Sequence, residues 1–198
     1  MRIVAGEWRG RRLAAPSGEA IRPTADRIRE SLFDILCSRL DLAGLRVIDL
    51  FAGTGALGLE ALSRGAAFAL FVDHSAEARG LIRTNAEALG AGMRARLLRR
   101  DAAALGAVGT MAPFDLAFVD PPYGRGLGEK AAAALAAGGW LKPGALLVIE
   151  EARGAAPPAL PGYELIDQRR FGDTLVGFFR FAGGGARPAG VEDGQARP

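Results

Sequence analysis

The stretch Val47-Ile48-Asp49-Leu50-Phe51-Ala52-Gly53-Thr54-Gly55-Ala56-Leu57-Gly58 constrains this chain more than any other. A short apolar run ends near an acid, passes through small residues and opens into Leu59-Glu60-Ala61-Leu62. That is the pattern of a strand, a tight loop and a helix. Glycine serves such a loop twice, since it accepts positive φ and lets the backbone approach a ligand closely. Open α/β sheets bind ligands in the crevice beyond the carboxyl ends of their parallel strands. The loop therefore predicts a nucleotide-type cofactor site, without saying which. Gly53, Gly55 and Gly58 satisfy G-x-G-x-x-G, and Asp73 lies 20 residues past the first glycine, as in a dinucleotide fingerprint.

From residue 46 the pattern alternates. Strands are predicted over 46–51, 68–73, 95–99, 114–120 and 145–150, and helices over 56–64, 76–89 and 127–137, with a short one from Asp101. This predicts an α/β fold with a doubly wound, Rossmann-like, mostly parallel sheet. The strand-like runs 163–170 and 174–181 are separated only by Phe171-Gly172-Asp173, too little for a crossover, so they form a C-terminal antiparallel hairpin. Ahead of the sheet, Ile28, Leu32, Phe33, Ile35, Leu36 and Leu40 recur at helical spacing and predict an amphipathic helix over 25–40. Residues 2–14, around Gly6-Glu7-Trp8-Arg9-Gly10, read as a small β-hairpin that adds little to the core. The expected organisation is a basic hairpin extension and linker over 1–22, one domain over 23–182, and a disordered Gly/Pro/Ala-rich tail over 183–198.

A length of 198 residues with 49% hydrophobic content suits one packed domain. No apolar run reaches membrane-spanning length, and the N-terminus passes at once into charged residues, unlike a signal peptide. A single cysteine, Cys37, allows no internal disulfide and leads to the expectation of a cytoplasmic protein; its helical setting predicts a small core or half-buried residue. His74 is the only histidine, so no metal site is expected, and it reads as a surface neighbour of the cofactor. Net charge is only +3, but the first thirty residues carry Arg2, Arg9, Arg11, Arg12, Arg22, Arg27 and Arg29 against four acids. A basic arm beside a catalytic domain suits nucleic-acid phosphates. Compositional bias is the alternative, because Lys130 and Lys142 are the only lysines.

Asp49, Asp73, Asp101 and Asp120 fall at or just past the ends of four successive predicted strands. Unit charges a few ångströms apart interact by about 1–4 kcal/mol at effective dielectric constants from water to protein surface. Several carboxylates around one crevice disfavour a pyrophosphate and favour a cation, and S-adenosylmethionine, a sulfonium with an α-amino group, is such a ligand. Asp73 suits the two hydroxyls of a ribose. Asp49 suits the backbone N–H groups of the glycine loop, and Asp101 suits a helix N-cap as well as a ligand contact.

Asp120-Pro121-Pro122-Tyr123 points to the chemistry. Two prolines after a buried strand stiffen the loop and remove two backbone donors, which leaves carbonyls and the Asp carboxylate as acceptors. Tyr123 offers a flat face for a base, worth roughly 1–3 kcal/mol. The exocyclic amine of a base is a poor nucleophile because its lone pair is delocalised into the ring. Acceptors for both N–H groups localise that pair and aim it at an electrophilic methyl. Asp120 and the Pro121 carbonyl are such acceptors, so positioning and electrostatic stabilisation are the main catalytic terms.

The segment Asp49-Leu50-Phe51-Ala52-Gly53-Thr54-Gly55 resembles the cofactor motif of class I S-adenosylmethionine-dependent methyltransferases. Asp120-Pro121-Pro122-Tyr123 resembles the signature of the amino-group methyltransferases among them. Arg22-Pro23-Thr24-Ala25-Asp26-Arg27-Ile28-Arg29-Glu30-Ser31-Leu32-Phe33-Asp34 is similar to the N-terminal helix of the bacterial 16S rRNA guanine-N2 methyltransferases, and Gly10-Arg11-Arg12-Leu13 and Phe171-Gly172-Asp173-Thr174 fit that family too. The likeness spans residues 2–181. It implies methylation of the N2 amine of one guanine in 16S rRNA, within the assembled or assembling small subunit, by a monomer. It also implies that Asp120, Pro121, Pro122 and Tyr123 hold the target base. Asp49, Phe51, Gly53, Gly55 and Asp120 would border S-adenosylmethionine, with Asp73 at its ribose and Asp101 at its adenine amine. Arg11, Arg12, Arg22, Arg27 and Arg29 are implied at RNA phosphates or the cofactor pocket. Ala102-Ala103-Ala104 departs from the expected pattern by offering the adenine few polar groups. The competing readings are an adenine-N6 DNA methyltransferase, a non-catalytic RNA-binding module and, more remotely, a dehydrogenase.

Overall fold

A computed structural model describes residues 1–16, 23–122, 126–152 and 159–183. Helix α1 (Pro23–Cys37) is followed by β1 (Arg46–Leu50), α2 (Ala56–Ser63), β2 (Phe68–Val72), α3 (Ala76–Leu89), β3 (Ala95–Leu98), β4 (Phe114–Val119), α4 (Leu127–Ala137), β5 (Leu141–Ala152), β6 (Tyr163–Phe171) and β7 (Thr174–Phe181). The strands form one sheet in the order β3-β2-β1-β4-β5-β7-β6. The first five are parallel, and β7 runs antiparallel between β5 and β6. The expected α/β sheet with its terminal antiparallel hairpin is the observed one.

Successive strand side chains point to opposite faces, and both faces are covered. Val47, Ala69, Phe71, Leu116 and Phe118 join Leu32, Phe33 and Leu36 of α1 and Leu59 and Leu62 of α2 on one side. Ile48, Leu50, Leu70, Val72, Ala117 and Val119 join Ala131, Ala132 and Leu135 of α4 on the other. That is why the strands read as nearly unbroken apolar runs.

Several local expectations need correction. The N-terminal arm is bridged at Arg2 and Arg12, with the Ile3 carbonyl accepting the Gly10 N–H and the Ile3 N–H donating to the Arg11 carbonyl, but its share of the core is not slight. Ile3, Trp8 and Leu13 are all buried in the α1–α2 layer. Val4 and Ala5 donate backbone N–H bonds to the fully buried Glu60 carboxylate at 2.8 and 2.9 Å, and Trp8 N–H donates to Ser63 Oγ at 2.9 Å. Gly6 sits so close to α2 that a Cβ there would lie 1.8 Å from the Ser63 carbonyl oxygen.

Helix α1 ends at Cys37 instead of residue 40, where the Ser38 hydroxyl bonds the Ile35 carbonyl at 2.7 Å and competes with the helix ladder. Cys37 is exposed, not a core residue, because it falls on the solvent side of that last turn. No helix follows Asp101. The segment is a turn closed by the Ala104 N–H on the Asp101 carbonyl, before the left-handed Gly106 and Gly109. The expected linker over 18–22 and nearly all of the expected disordered tail lie outside the described residues. Among the described residues, no helix is long and apolar enough to cross a membrane.

Candidate active site

The glycine loop leaves β1 through Phe51, whose φ of 57° places a side-chain-bearing residue in the left-handed region. Gly53 and Gly55 follow with φ of 54° and 77°, and Gly55 forms the N-cap of α2. Two acids hold this turn. Asp49, buried within β1, accepts the Gly58 N–H at 2.9 Å, and Asp73, buried just past β2, accepts the Gly53 N–H at 3.0 Å and the Ser75 N–H at 2.8 Å. A Cβ on Gly58 would meet the Phe71 ring at 2.4 Å, so this third glycine lets α2 pack onto the sheet.

Below the loop lies a cavity of about 250 Å3. It is lined by Asp49, Phe51, Gly53, Thr54, Asp120 and Glu150, with Met1, Arg29 and Leu32 on the helix side. Asp120 lies just past β4, its backbone N–H directed at the Leu50 carbonyl at 3.5 Å. It is exposed at the crevice, but the neighbouring strands crowd it from both sides and strip part of its solvation. That lost solvation, together with the charge of Glu150, pushes its pKa up to about 7. Burial pushes Asp49 well above the ordinary carboxyl value too; the Gly58 N–H opposes this, and the charges of Asp120 and Asp73 add to it. Asp49 thus feels the charges of two of the other predicted carboxylates.

Asp101 is the fourth, and it stands apart. It is exposed beyond edge strand β3 and gives one carboxylate oxygen to the Ala103 N–H at 2.9 Å. Its place in the row is taken by Glu150, which sequence reasoning missed. The β4–β5 register pairs Val119 with Ile149, so Asp120 and Glu150 are the next residues on neighbouring parallel strands. The acids then run Asp73, Asp49, Asp120, Glu150 across β2, β1, β4 and β5. The signal was present, since Glu150 closed the fifth predicted strand.

Pro121 is buried and Pro122 exposed, while Tyr123 and Arg22 lie outside the described residues. His74 is exposed, as expected. A second, larger hollow of about 490 Å3 lies between the arm and α1, lined by Arg2, Arg9, Arg12 and Arg27 and by Asp26 and Glu30. Met1 borders both spaces, and its sulfur accepts the Thr54 hydroxyl at 3.4 Å. Arg12 and Arg27 are exposed here, and Arg11, also exposed, is turned onto the Ala88 carbonyl. Arg29 does not belong with them. It is buried, bonded to the Arg2 carbonyl and to Asp26, with Nε 3.6 Å from Glu60, so it braces the arm against α1 and α2 and is out of reach of a phosphate.

A sequence model of the family described as conserved hypothetical protein 95 matches residues 1–180. The chain belongs to this family. Relatives include the ribosomal RNA small subunit methyltransferase D of Escherichia coli K12, 40% identical over 162 residues that cover 81% of this chain and 79% of that one. The Haemophilus influenzae protein of the same name is 36% identical over 152 residues, covering 76% and 78%. Among solved structures, the Escherichia coli protein yhhF superposes with a TM-score of 0.78 at 35% identity, over 91% of this chain and 97% of that one. The family resemblance carried by the motifs therefore stands, and the chain is a methyltransferase with the class I fold.

Proposed function

We propose that this family member transfers a methyl group from S-adenosylmethionine to the N2 amine of a guanine in 16S rRNA, as a cytoplasmic monomer acting on the assembled or assembling small subunit. One observation carries the reading: Asp120, the acceptor for an amine, and the glycine loop, the support for a cofactor, line a single cavity. The relatives named for small-subunit rRNA supply the substrate class.

Asp73, Asp49 and Asp120 suit the cofactor, because neighbouring carboxylates favour the two positive groups that S-adenosylmethionine carries. When bound, it supplies an electrophilic methyl on sulfur. Asp49, Phe51, Gly53 and Gly55 frame its amino-acid end, Asp73 its ribose, and Asp101 its adenine amine. Asp120 and the Pro121 carbonyl accept the two N–H bonds of the target amine and localise its lone pair. Tyr123 stacks on the base. With its pKa near 7, Asp120 is matched to receive the proton the amine loses after transfer. Arg12 and Arg27, with Arg2 and Arg9, form a phosphate track that leads past Met1 to the cavity; for Arg11 and Arg22 the same role rests on charge and on the family motif alone.

The test is incubation with labelled S-adenosylmethionine and, separately, unmodified small subunits, naked 16S rRNA and DNA. Label in a guanine of the subunit or rRNA supports the proposal. Label in DNA adenine alone, or cofactor binding with no transfer, overturns it in favour of a DNA methyltransferase or a binding module.

A further inference from the structure

Sheet order divides the crevice. The glycine loop and Asp73 belong to β1 and β2, so the cofactor half lies there, and the amine acceptor Asp120 follows β4. Glu150 is one strand further on, in β5 just past its pairing with β4, about 4.8 Å away in the strand-to-strand direction. It lines the same cavity as Asp120 but lies on the side away from the glycine loop. An acid in that place lies beside Asp120 on the side opposite the loop. Its carboxylate is also held in position: Oε1 accepts the Thr174 hydroxyl at 3.2 Å from the neighbouring strand β7. A carboxylate offers about four acceptor sites, and this bond orients the group.

Purines differ at the position beside the amine. Guanine carries an N1–H donor next to its N2 amine, whereas adenine carries a bare N1 acceptor next to its N6 amine. With Asp120 and the Pro121 carbonyl on the two amine hydrogens, the next edge atom of the base falls toward β5. We propose that Glu150 accepts the N1–H of the target guanine and is the residue that makes the site select guanine over adenine. Adenine would place a lone pair against a carboxylate and leave both without a donor, and a polar site rejects an analogue lacking its donor far more strongly than an apolar pocket rejects a misfit. The inference rests on the guanine-N2 reading above and deepens it.

The experiment begins by mapping the nucleotide methylated by the wild-type protein in small subunits. Subunits are then rebuilt with ligated rRNA carrying 2,6-diaminopurine riboside at that nucleotide, which keeps the N2 amine but lacks N1–H. The wild-type protein should prefer guanine by about 100-fold in kcat/KM, the scale of one hydrogen bond to a charged group. Glu150→Ala should lose most of its rate on guanine, change little on diaminopurine, and so erase the preference; Glu150→Gln, which keeps an acceptor oxygen, should retain part of it. Affinity for S-adenosylmethionine, measured at equilibrium, should stay within about threefold and shows that the variants fold. A preference that survives Glu150→Ala, or equal losses on both substrates, overturns the inference and leaves the guanine-N2 reading intact. Absence of guanine methylation by the wild-type protein overturns that reading, and this inference with it.

Discussion

Gly58 donates its backbone N–H to the Asp49 carboxylate over 2.9 Å, while the position its side chain would take is filled by the Phe71 ring. The acid and the third glycine of the motif thus act on each other before either meets a ligand. Asp49 holds the first turn of α2 at the loop, and the missing Cβ lets the helix come close enough for that bond.

Gly58→Ala should accordingly damage fold and site together. Its Cβ would lie 2.4 Å from Phe71 and 3.2 Å from Asp49 Oδ2, so α2 must move away from β1. The expected cost is about 1–3 kcal/mol, the range for overpacking a tight core. Denaturant unfolding measures that cost, and cofactor titration should show weakened binding. A variant with unchanged stability would show that α2 shifts freely.

Asp120→Ala should lower the methyl-transfer rate by about 10²–10⁴, as for loss of a positioned hydrogen-bonding or acid–base group. Asp120→Asn keeps an acceptor oxygen and should lose less. Single-turnover kinetics of the two variants separates the roles: equal losses would assign Asp120 to proton removal instead of lone-pair alignment.

The raised pKa of Asp120 has a pH signature. Its ordinary value is 3.8 and its folded value about 7. Below about pH 4 both states are protonated and the site costs nothing. Between about 4 and 7 only the unfolded chain gives up its proton, so this site's contribution to stability falls as pH rises, then stays constant above 7. Asp49 acts in the same direction. In calorimetry without cofactor, Asp120→Asn should gain in Tm over the wild-type protein from pH 5 to 7, and the gap should be level by pH 8. A gap independent of pH would contradict the shift. Affinity for S-adenosylmethionine should rise over the same window, since its positive groups favour the ionised acids.

The arginines should divide into two kinds. Arg12→Ala and Arg27→Ala should weaken RNA binding and each reduce the salt slope by about one unit, with stability unchanged. Arg29→Ala should instead destabilise the fold by on the order of 3 kcal/mol, because it removes one partner of a buried ion pair; Glu60 keeps Arg64 at 2.9 Å, which limits the loss. Filter binding at several salt concentrations and chemical denaturation would distinguish them. An Arg29 variant of wild-type stability with a reduced salt slope would restore Arg29 to the RNA surface.

The parallel sheet was legible because strands buried on both faces leave a strong mark, and Asp49 and Asp120 were legible because one interrupts such a run near its end and the other follows it. Periodicity is local, however, and what it missed is long-range. The arm has only three core residues, Ile3, Trp8 and Leu13, too few and too irregularly spaced for a pattern, and its anchor Glu60 lies more than fifty residues away. Arg29 shares its spacing and charge with exposed neighbours, so nothing local marks it as buried. Glu150 was missed because its importance comes from which strand lies beside β4, and strand order is not written in a linear pattern. Asp101 also follows a strand, but β3 is the sheet's edge, so it stands apart from the acids of the central strands, a separation that a linear pattern does not carry.

The docking of the arm also sets an order in time. A ribosome releases residues 1–16 before the elements they dock on, since their partners are Glu60, Ser63 and Asn85, the last bonded to Ala14 at 2.7 Å. Until α3 has emerged, Ile3, Trp8 and Leu13 have no layer to enter, and Met1 cannot border the cavity. The arm is therefore made ahead of its partners and settles only after α3, and until then the cavity lacks the part of its wall that Met1 supplies.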